Sequence, residues 1–483
     1  MRRRMLLGLG CFLAFGYAEA FAAAPETPTF HKDVSRILQK NCQECHRPGQ
    51  VAPFALMTYD QARKRSADLA HVTAEKRMPP WPAAPGYGGP FRDERVLSDA
   101  EIATIRAWAE AGAPEGDPND APPPRTFASD WPLGPPDLVL TMPEPYEVGA
   151  SGDDEFRVFV LPTNLPEDRW IKAVDFKPGN RKVVHHVIAA VDDSGTARER
   201  DAKDPKPGYV AVGGFGQGVP VRAFLPIWTP GAKPRTAPEG AGYFLPKGAD
   251  VLIQLHYHKS GKPELDATSI GLYLSDKPLP KRINTRFVFP TIPPLKVITL
   301  TQKFREAQKK GGRRPDLTEM MRDVLVIPPG EANYEVKGST GGSFNGSPLQ
   351  HDTYVTAVMP HMHWLGKDFT FWAVLPDGKK TEVPLIKIDR WNFNWQGTYA
   401  FEKPVFLPKG SWFEMRAHFD NSAENPQNPR KPPRLVTWGD QTDDEMCLGI
   451  LECVNASDDP PPRKPDADGK APEPAKDGAK PKS

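Results

Sequence analysis

The chain has 483 residues, of which 25% are charged, and a formal net charge of +1. So even a balance excludes a nucleic-acid binder on electrostatic grounds, and the length allows about three globular units. Five cysteines in a chain of this size exclude a disulfide scaffold.

Taken in order, the opening residues Arg2-Arg3-Arg4, the apolar run Met5 to Phe15 and Ala18-Glu19-Ala20 form the basic, apolar and small-residue sections of a secretory signal, assigned to 1–24. The apolar run is too short to span a bilayer, so no stable membrane anchor is expected. Cys11 leaves with the signal, and the mature chain belongs in a bacterial periplasm or is secreted.

Residues 25–116 read as a small all-α unit. Cys42-Gln43-Glu44-Cys45-His46 is the c-type haem attachment pattern: two thiols add to the haem vinyls and the histidine takes an axial position. Zinc would need a second ligand pair, yet the next cysteine is Cys447; a redox dithiol leaves His46 unexplained. Met78, in Arg77-Met78-Pro79-Pro80-Trp81, suits the second axial position because the prolines stiffen the backbone around it. Met57 and His71 compete for that role, and an ordinary core methionine is the plain alternative. Ser98 opens a capped helix over Asp99 to Trp108 that closes the unit, which on these residues resembles a small cytochrome c.

A proline-rich linker follows at 117–136. Beyond it short apolar runs recur between turns (Leu138 to Met142, Phe156 to Leu161, Val183 to Val191, Val251 to Tyr257, Ile270 to Leu274), which predicts all-β sandwiches. We place a first sandwich at 137–280 and a second at 281–456, the latter with a basic insert at 291–324 whose lysines and arginines form a solvated surface. Residues 457–483 lack apolar periodicity and read as a disordered tail. Cys447 and Cys453 would lie roughly 20 Å apart on one strand, too far to bridge, and are expected to be buried free thiols.

Six of the 11 histidines fall in three clusters: His185-His186, His256-Tyr257-His258 and His361-Met362-His363. On a strand, residues two apart share a face at roughly 6.5 Å, so His361 and His363 converge as a ligand pair. His185 and His186 are neighbours and face opposite sides unless the strand bulges or ends there. With His256 they make three imidazoles; His258 is a possible substitute. Met446 is the candidate third ligand beside His361 and His363, and a neutral imidazole and thioether set favours copper over zinc.

These pieces, in order, resemble the ascorbate-dependent type II copper monooxygenases, which include peptidylglycine α-hydroxylating and dopamine β-monooxygenases. The likeness rests on His185-His186, His256-Tyr257, Val326-Ile327-Pro328-Pro329-Gly330-Glu331, His361-Met362-His363 with Leu365-Gly366-Lys367, and Asp444-Glu445-Met446-Cys447. It implies two jelly-roll-like β-sandwich copper domains facing each other across a cleft. By the same likeness, one copper on His185, His186 and His256 passes electrons, and another, on His361, His363 and Met446, cleaves a substrate C–H bond with dioxygen; ascorbate is a candidate reductant. Peptide-amidating members have an arginine two residues before the first histidine of His-x-His; here Met359 stands there, which argues against peptide amidation.

The expectation is therefore an exported copper monooxygenase acting on a small-molecule substrate, with electrons relayed by the fused haem and, as a further candidate, a redox partner protein. The alternative is a non-catalytic periplasmic haem and copper protein that transfers electrons or binds copper. Tyr257, Trp364, Trp391, Phe393 and Trp395 either line an apolar pocket or belong to the sandwich cores, and His418 reads as a buried histidine.

Overall fold

The computed structural model describes residues 26–457 apart from 128–130, 212–213, 294–295, 300–301, 303–304, 307–316 and 342–345. The expected signal at 1–24, nearly all of the tail at 457–483 and the centre of the insert at 291–324 lie outside the described residues. No helix among the described residues is long and apolar enough to cross a membrane.

Near the N-terminus, Thr29 caps a helical stretch over Phe30–Val34 and Ser35–Asn41. Tyr59–Arg63 and Ser66–Ala74 follow, and Asp99–Glu110 starts on a capping box in which Ser98 Oγ accepts from the Glu101 amide at 3.2 Å and Glu101 Oε2 accepts from the Ser98 amide at 2.8 Å. Phe30, Leu38, Leu56, Ile105 and Trp108 form a separate small core.

This unit is not all-α, which corrects the sequence expectation. Ala83–Gly88 is a strand that pairs antiparallel with Glu382–Ile388 of the C-terminal sandwich. The cause is local: the run from Pro79 to Pro90 is too rich in proline and glycine to continue a helix, and it completes the edge of a neighbouring sheet instead. Gly88, at φ +71°, is required there, since a side chain would run into the Leu385 carbonyl. The linker at 117–136 is also docked, because Arg36 donates to the Asp120 carbonyl (2.9 Å) and Tyr273 Oη to the Gly134 carbonyl (2.7 Å).

The rest is built on one nine-stranded sheet whose main path runs Leu138–Thr141, Ser269–Leu274, Arg169–Lys177, Ala241–Leu245, Lys281–Val288, Cys447–Asn455, Thr353–Met362, Tyr399–Leu407. A five-stranded sheet centred on Glu155–Pro162, Asp250–Tyr257 and Val184–Asp192 covers its first half, and a second, centred on Glu382–Ile388, Gly366–Val374 and Trp412–Phe419, covers its other half. Each half encloses its own core, so two β-sandwiches are present. They are not separate sheets, however. Ala241 and Gly242 pair in parallel with Lys281 and Arg282, so the sheet runs straight through the boundary drawn at 280/281. Arg235 and Glu452 clamp the same seam with two bonds of 2.6 and 2.7 Å.

The five strands expected from the first sandwich's apolar runs all form, within a residue or so at each end. Asp250–Tyr257 is buried along its whole length because a sheet partner lies on each side and a packed layer on each face. That strand and its neighbour Val184–Asp192 carry the first three histidines.

Candidate metal and haem sites

His186 and His256 sit opposite each other on adjacent antiparallel strands. The register then slips, so that Tyr257 faces Val184 and His185 is the extra residue of a bulge. The two neighbouring imidazoles thereby reach one place, which meets the condition for both to serve one ion. Ligand atoms of His185, His186 and His256 all lie within 4.8 Å of one another. His256 Nδ1 is 3.1 Å from His186 Nε2, close to the roughly 3.3 Å between two nitrogens on one tetrahedral ion at 2.0 Å. His185 Nδ1 and His186 Nδ1 are buried with no hydrogen-bond partner among the described residues.

His256 is oriented by a residue that the sequence did not point to. Its Nε2 donates to Asp154 Oδ2 at 3.0 Å, which leaves Nδ1 facing His186. Asp154 also receives His258 Nδ1 at 3.1 Å and the Thr442 hydroxyl. Burial works to raise the Asp154 pKa, but bonds from His256, His258 and Thr442 outweigh it and hold the carboxyl below the usual range. His258 is 59% exposed in its side chain and lies on the far oxygen of Asp154, outside the trio. Burial first, then the charge of neighbouring imidazoles, lowers His185 to about 3 and His186 well below its usual value. Both are neutral lone-pair donors at any physiological pH.

At the other cluster, Thr353–Met362 ends just after His361, and His363 lies one residue beyond. The two rings are 5.2 Å apart and nearly perpendicular. His363 Nδ1 donates to the Asp444 carbonyl at 3.2 Å, so its Nε2 remains free to ligate. Gln396 bonds to His361, and burial still lowers that imidazole to about 4. Beneath the pair sits Glu445, fully buried, whose oxygens accept the amides of His363, Leu365 (3.0 Å) and Met446 (2.8 Å). Burial pushes its pKa up to about 8 against those bonds.

All six residues, His185, His186, His256, His361, His363 and Met446, line a single cavity of about 270 Å³. Its remaining wall is largely apolar, with Phe224, Phe287, Phe289 and Trp438 in a row of ring contacts at 5.1, 6.1 and 6.1 Å. Met359 also lines it, and among the lining residues there is no lysine or arginine. The Val326 to Glu331 segment does not reach the cavity; Asn421 braces it from behind, accepting from Gly330 N and donating to the Glu331 carbonyl.

The other aromatic candidates separate cleanly. Tyr257 is core, stacked on Tyr146 and bonded to Asp266 at 2.9 Å. Trp391 is buried and donates to the His363 carbonyl at 2.9 Å. Phe393 lines the cavity, with Trp364 packed against it at 4.4 Å. His418 is partly buried and bonds Asp368 at 2.8 Å, away from both clusters. Cys447 and Cys453 are buried free thiols on one strand.

A second cavity, of about 420 Å³, is lined by Cys42, Cys45, His46 and Met78. The Cys-x-x-Cys-His segment is a tight turn, with the His46 amide bonded to the Cys42 carbonyl at 2.9 Å. His46 Nδ1 donates to the Phe54 carbonyl at 3.1 Å and leaves Nε2 for an axial bond. Burial raises both thiols, Cys42 to about 12, the reverse of the lowered pKa of a redox dithiol. Both thiols, the freed imidazole nitrogen and Met78, 42% exposed, thus face one space, which fits a covalently held haem.

The sandwiches present neutral imidazole and thioether donors to one apolar cavity, a donor set that suits copper better than zinc. Residues 316–453, which include His361, His363 and Met446, match the family described as copper type II ascorbate-dependent monooxygenase, C-terminal domain. That family supports copper, ascorbate and oxygenase chemistry in this region. No curated protein matches the chain. Among solved structures, the chain is similar to the major capsid protein P2 of bacteriophage PM2, at 9% identity over 66% of this chain and 97% of that one, with a TM-score of 0.24. It is also similar to the infectious bursal disease virus Gx strain structure (7% identity, 66% and 72% covered, TM-score 0.17) and to PNGF-II (8%, 67% and 65%, TM-score 0.22). Alignments so loose carry nothing about function.

Proposed function

We propose that the chain is an exported copper monooxygenase that hydroxylates a C–H bond of a small, largely apolar substrate. The observation that carries this is the single cavity onto which a three-imidazole group and an imidazole and thioether group both open. Overall, a C–H bond, dioxygen, two electrons and two protons become an alcohol and water. Bound copper would supply the one-electron chemistry and the open position for dioxygen. The protein's part is to hold His185, His186 and His256 in one group and His361, His363 and Met446 in the other, all uncharged. Asp154 and the Asp444 carbonyl orient the rings, and Phe224, Phe287 and Phe289 exclude water from the reacting C–H bond. With Met359 before His-x-His and no lysine or arginine among the described residues of the wall, none of those residues is set to hold a peptide carboxylate.

Cys42 and Cys45 would hold one haem c covalently, with His46 and Met78 as its candidate ligands. Such a group would supply electrons one at a time, in place of ascorbate or as its relay, and the tether would keep its effective concentration high. A storage or electron-transfer protein, the other reading, has no need for an aromatic-walled cavity beside both groups.

The test is iron and copper per chain on protein exported in a host that attaches haem and is fed copper, followed by oxygen uptake against a panel of uncharged aromatic and aliphatic compounds. About one iron and two coppers with substrate-dependent uptake is the expected result. Iron without copper overturns the monooxygenase; both metals without uptake leave the electron-transfer reading.

A further inference from the structure

One short segment, Arg390 to Gly397, walls both cavities at once. Asn392, Asn394 and Trp395 face the space that holds Cys42, Cys45 and His46. Phe393 and Gln396 face the space that holds the six donors. This segment therefore lines both cavities, with Phe393 on one and Trp395 on the other.

Each ring meets a group that matters on its own side. Phe393 lies flat on the His185 imidazole, with centroids 5.3 Å apart and planes 18° apart, and stands edge-on to His363 at 5.9 Å. Trp395 packs over Gly231, whose φ is +82°. A Cβ built on Gly231 would be 3.1 Å from the indole and 3.7 Å from Cys45 Sγ, so the missing side chain is what lets the indole approach the sulfur. Arg95 lies 5.2 Å over the indole face and donates to the Gly231 carbonyl at 3.1 Å, which pins both sides of that contact.

The segment is also held firmly at its N-terminal end. Arg390 donates to the Glu75 carbonyl of the N-terminal unit at 2.9 Å, and Trp391 donates from its amide to Lys367 (2.8 Å) and from its indole to His363 (2.9 Å). Within it, Trp395 N bonds the Asn392 carbonyl and Gln396 Nε2 the Phe393 carbonyl, each at 2.9 Å. Ordinary core packing would account for aromatic side chains buried among aliphatic ones. It does not account for one ring stacked on the His185 imidazole while the other lies across the side-chain-free Gly231 from Cys45 Sγ.

We propose that Trp395 and Phe393 form the electron path from the Cys42, Cys45 and His46 cavity to the three-histidine site, with His185 as the entry ligand. This rests on the reading above that haem and copper occupy these sites. In the step, one electron leaves ferrous haem, which becomes ferric, and reduces cupric copper at His185, His186 and His256 to cuprous. No bond forms or breaks at the bridge and no proton moves. Both residues act by position and touch neither substrate nor dioxygen.

The experiment is anaerobic stopped-flow mixing of the full-length, haem-loaded, ferrous, copper-free protein with cupric sulfate, following haem oxidation by its visible spectrum. His186→Ala serves as the blank for oxidation that bypasses the three-histidine site, and copper content is measured on every variant after mixing. The expected result is fast oxidation in the wild type, slowed by about tenfold or more in Trp395→Leu and Phe393→Leu with copper content unchanged. Trp395→Phe and Phe393→Tyr, which keep a ring in place, should restore most of the rate, which a purely structural role would not require. Equal rates in the wild type and the leucine variants overturn the path. A wild type that binds both metals but oxidises no faster than His186→Ala overturns it as well, while leaving the metal sites standing. Protein that takes up neither metal overturns the functional reading and the path together.

Discussion

The two histidine clusters reach the same chemical state, neutral imidazoles around one cavity, by opposite means. The first interrupts a regular sheet: His185 is a bulge residue, and His256 is turned by a charged side chain, Asp154. The second uses the end of a strand, and its rings and backbone are held by the Asp444 carbonyl and by Glu445, a buried acid that its surroundings favour in the protonated form. They also differ in where their support comes from. Asp154 reaches Thr442, and its own carbonyl accepts from Gln441 at 3.5 Å, both in the other sandwich. Glu445 bonds only within its own sandwich, to His363, Leu365 and Met446. The first cluster thus depends on how the two halves meet, and the second on its own half folding.

The largest effects should come from removing a ligand on either side. His186→Ala and His361→Ala should each lose one copper of two and all substrate-dependent oxygen uptake, read by elemental analysis and an oxygen electrode. Loss of both coppers from either variant would mean that the clusters form a single site. Next in size is Glu445→Ala, which leaves three buried amides without an acceptor and should cost about 3 kcal/mol. Chemical denaturation would measure it, and second-site copper should weaken with it while the three-histidine site keeps its affinity. A near-neutral change would show that water replaces the carboxyl and that the second cluster is not held from beneath.

How much of this was legible in the sequence follows the range of the forces involved. His361 and His363 could be paired from their spacing, although the strand on which that spacing was argued ends at Met362 and His363 lies just past it. The bulge at His185 could be stated as a condition for the trio, though only the register between two strands shows it met. Asp154 could not be found, since Gly152-Asp153-Asp154-Glu155 reads as an ordinary solvated turn, and its contact with His256 spans 102 residues. The continuity of the sheet between the sandwiches was hidden because its strand pairing there rests on two residue pairs, with no sequence signal of their own. The strand Ala83–Gly88 was missed because proline and glycine mask a β edge that exists only once its partner is in place. Phe393 and Trp395 were visible as aromatic residues, but which cavity each faces depends on a loop whose path local propensity does not set.

The finest test of the contrast compares Asp154→Asn with His258→Ala. Both touch the same carboxylate bridge, but only Asp154 aligns a ring of the trio. Asparagine keeps the shape while losing the charge and one acceptor, so copper at the three-histidine site should bind about 10- to 100-fold more weakly. The second site should not change, because its support never crosses between the sandwiches. His258 is largely exposed, and its loss should alter affinity by about twofold at most. Copper competition titrations against a chelator of known strength would read both. If His258→Ala weakened the first site as much as Asp154→Asn, His258 would have to swing onto the metal, and the trio would be a set of four that shares one exposed member.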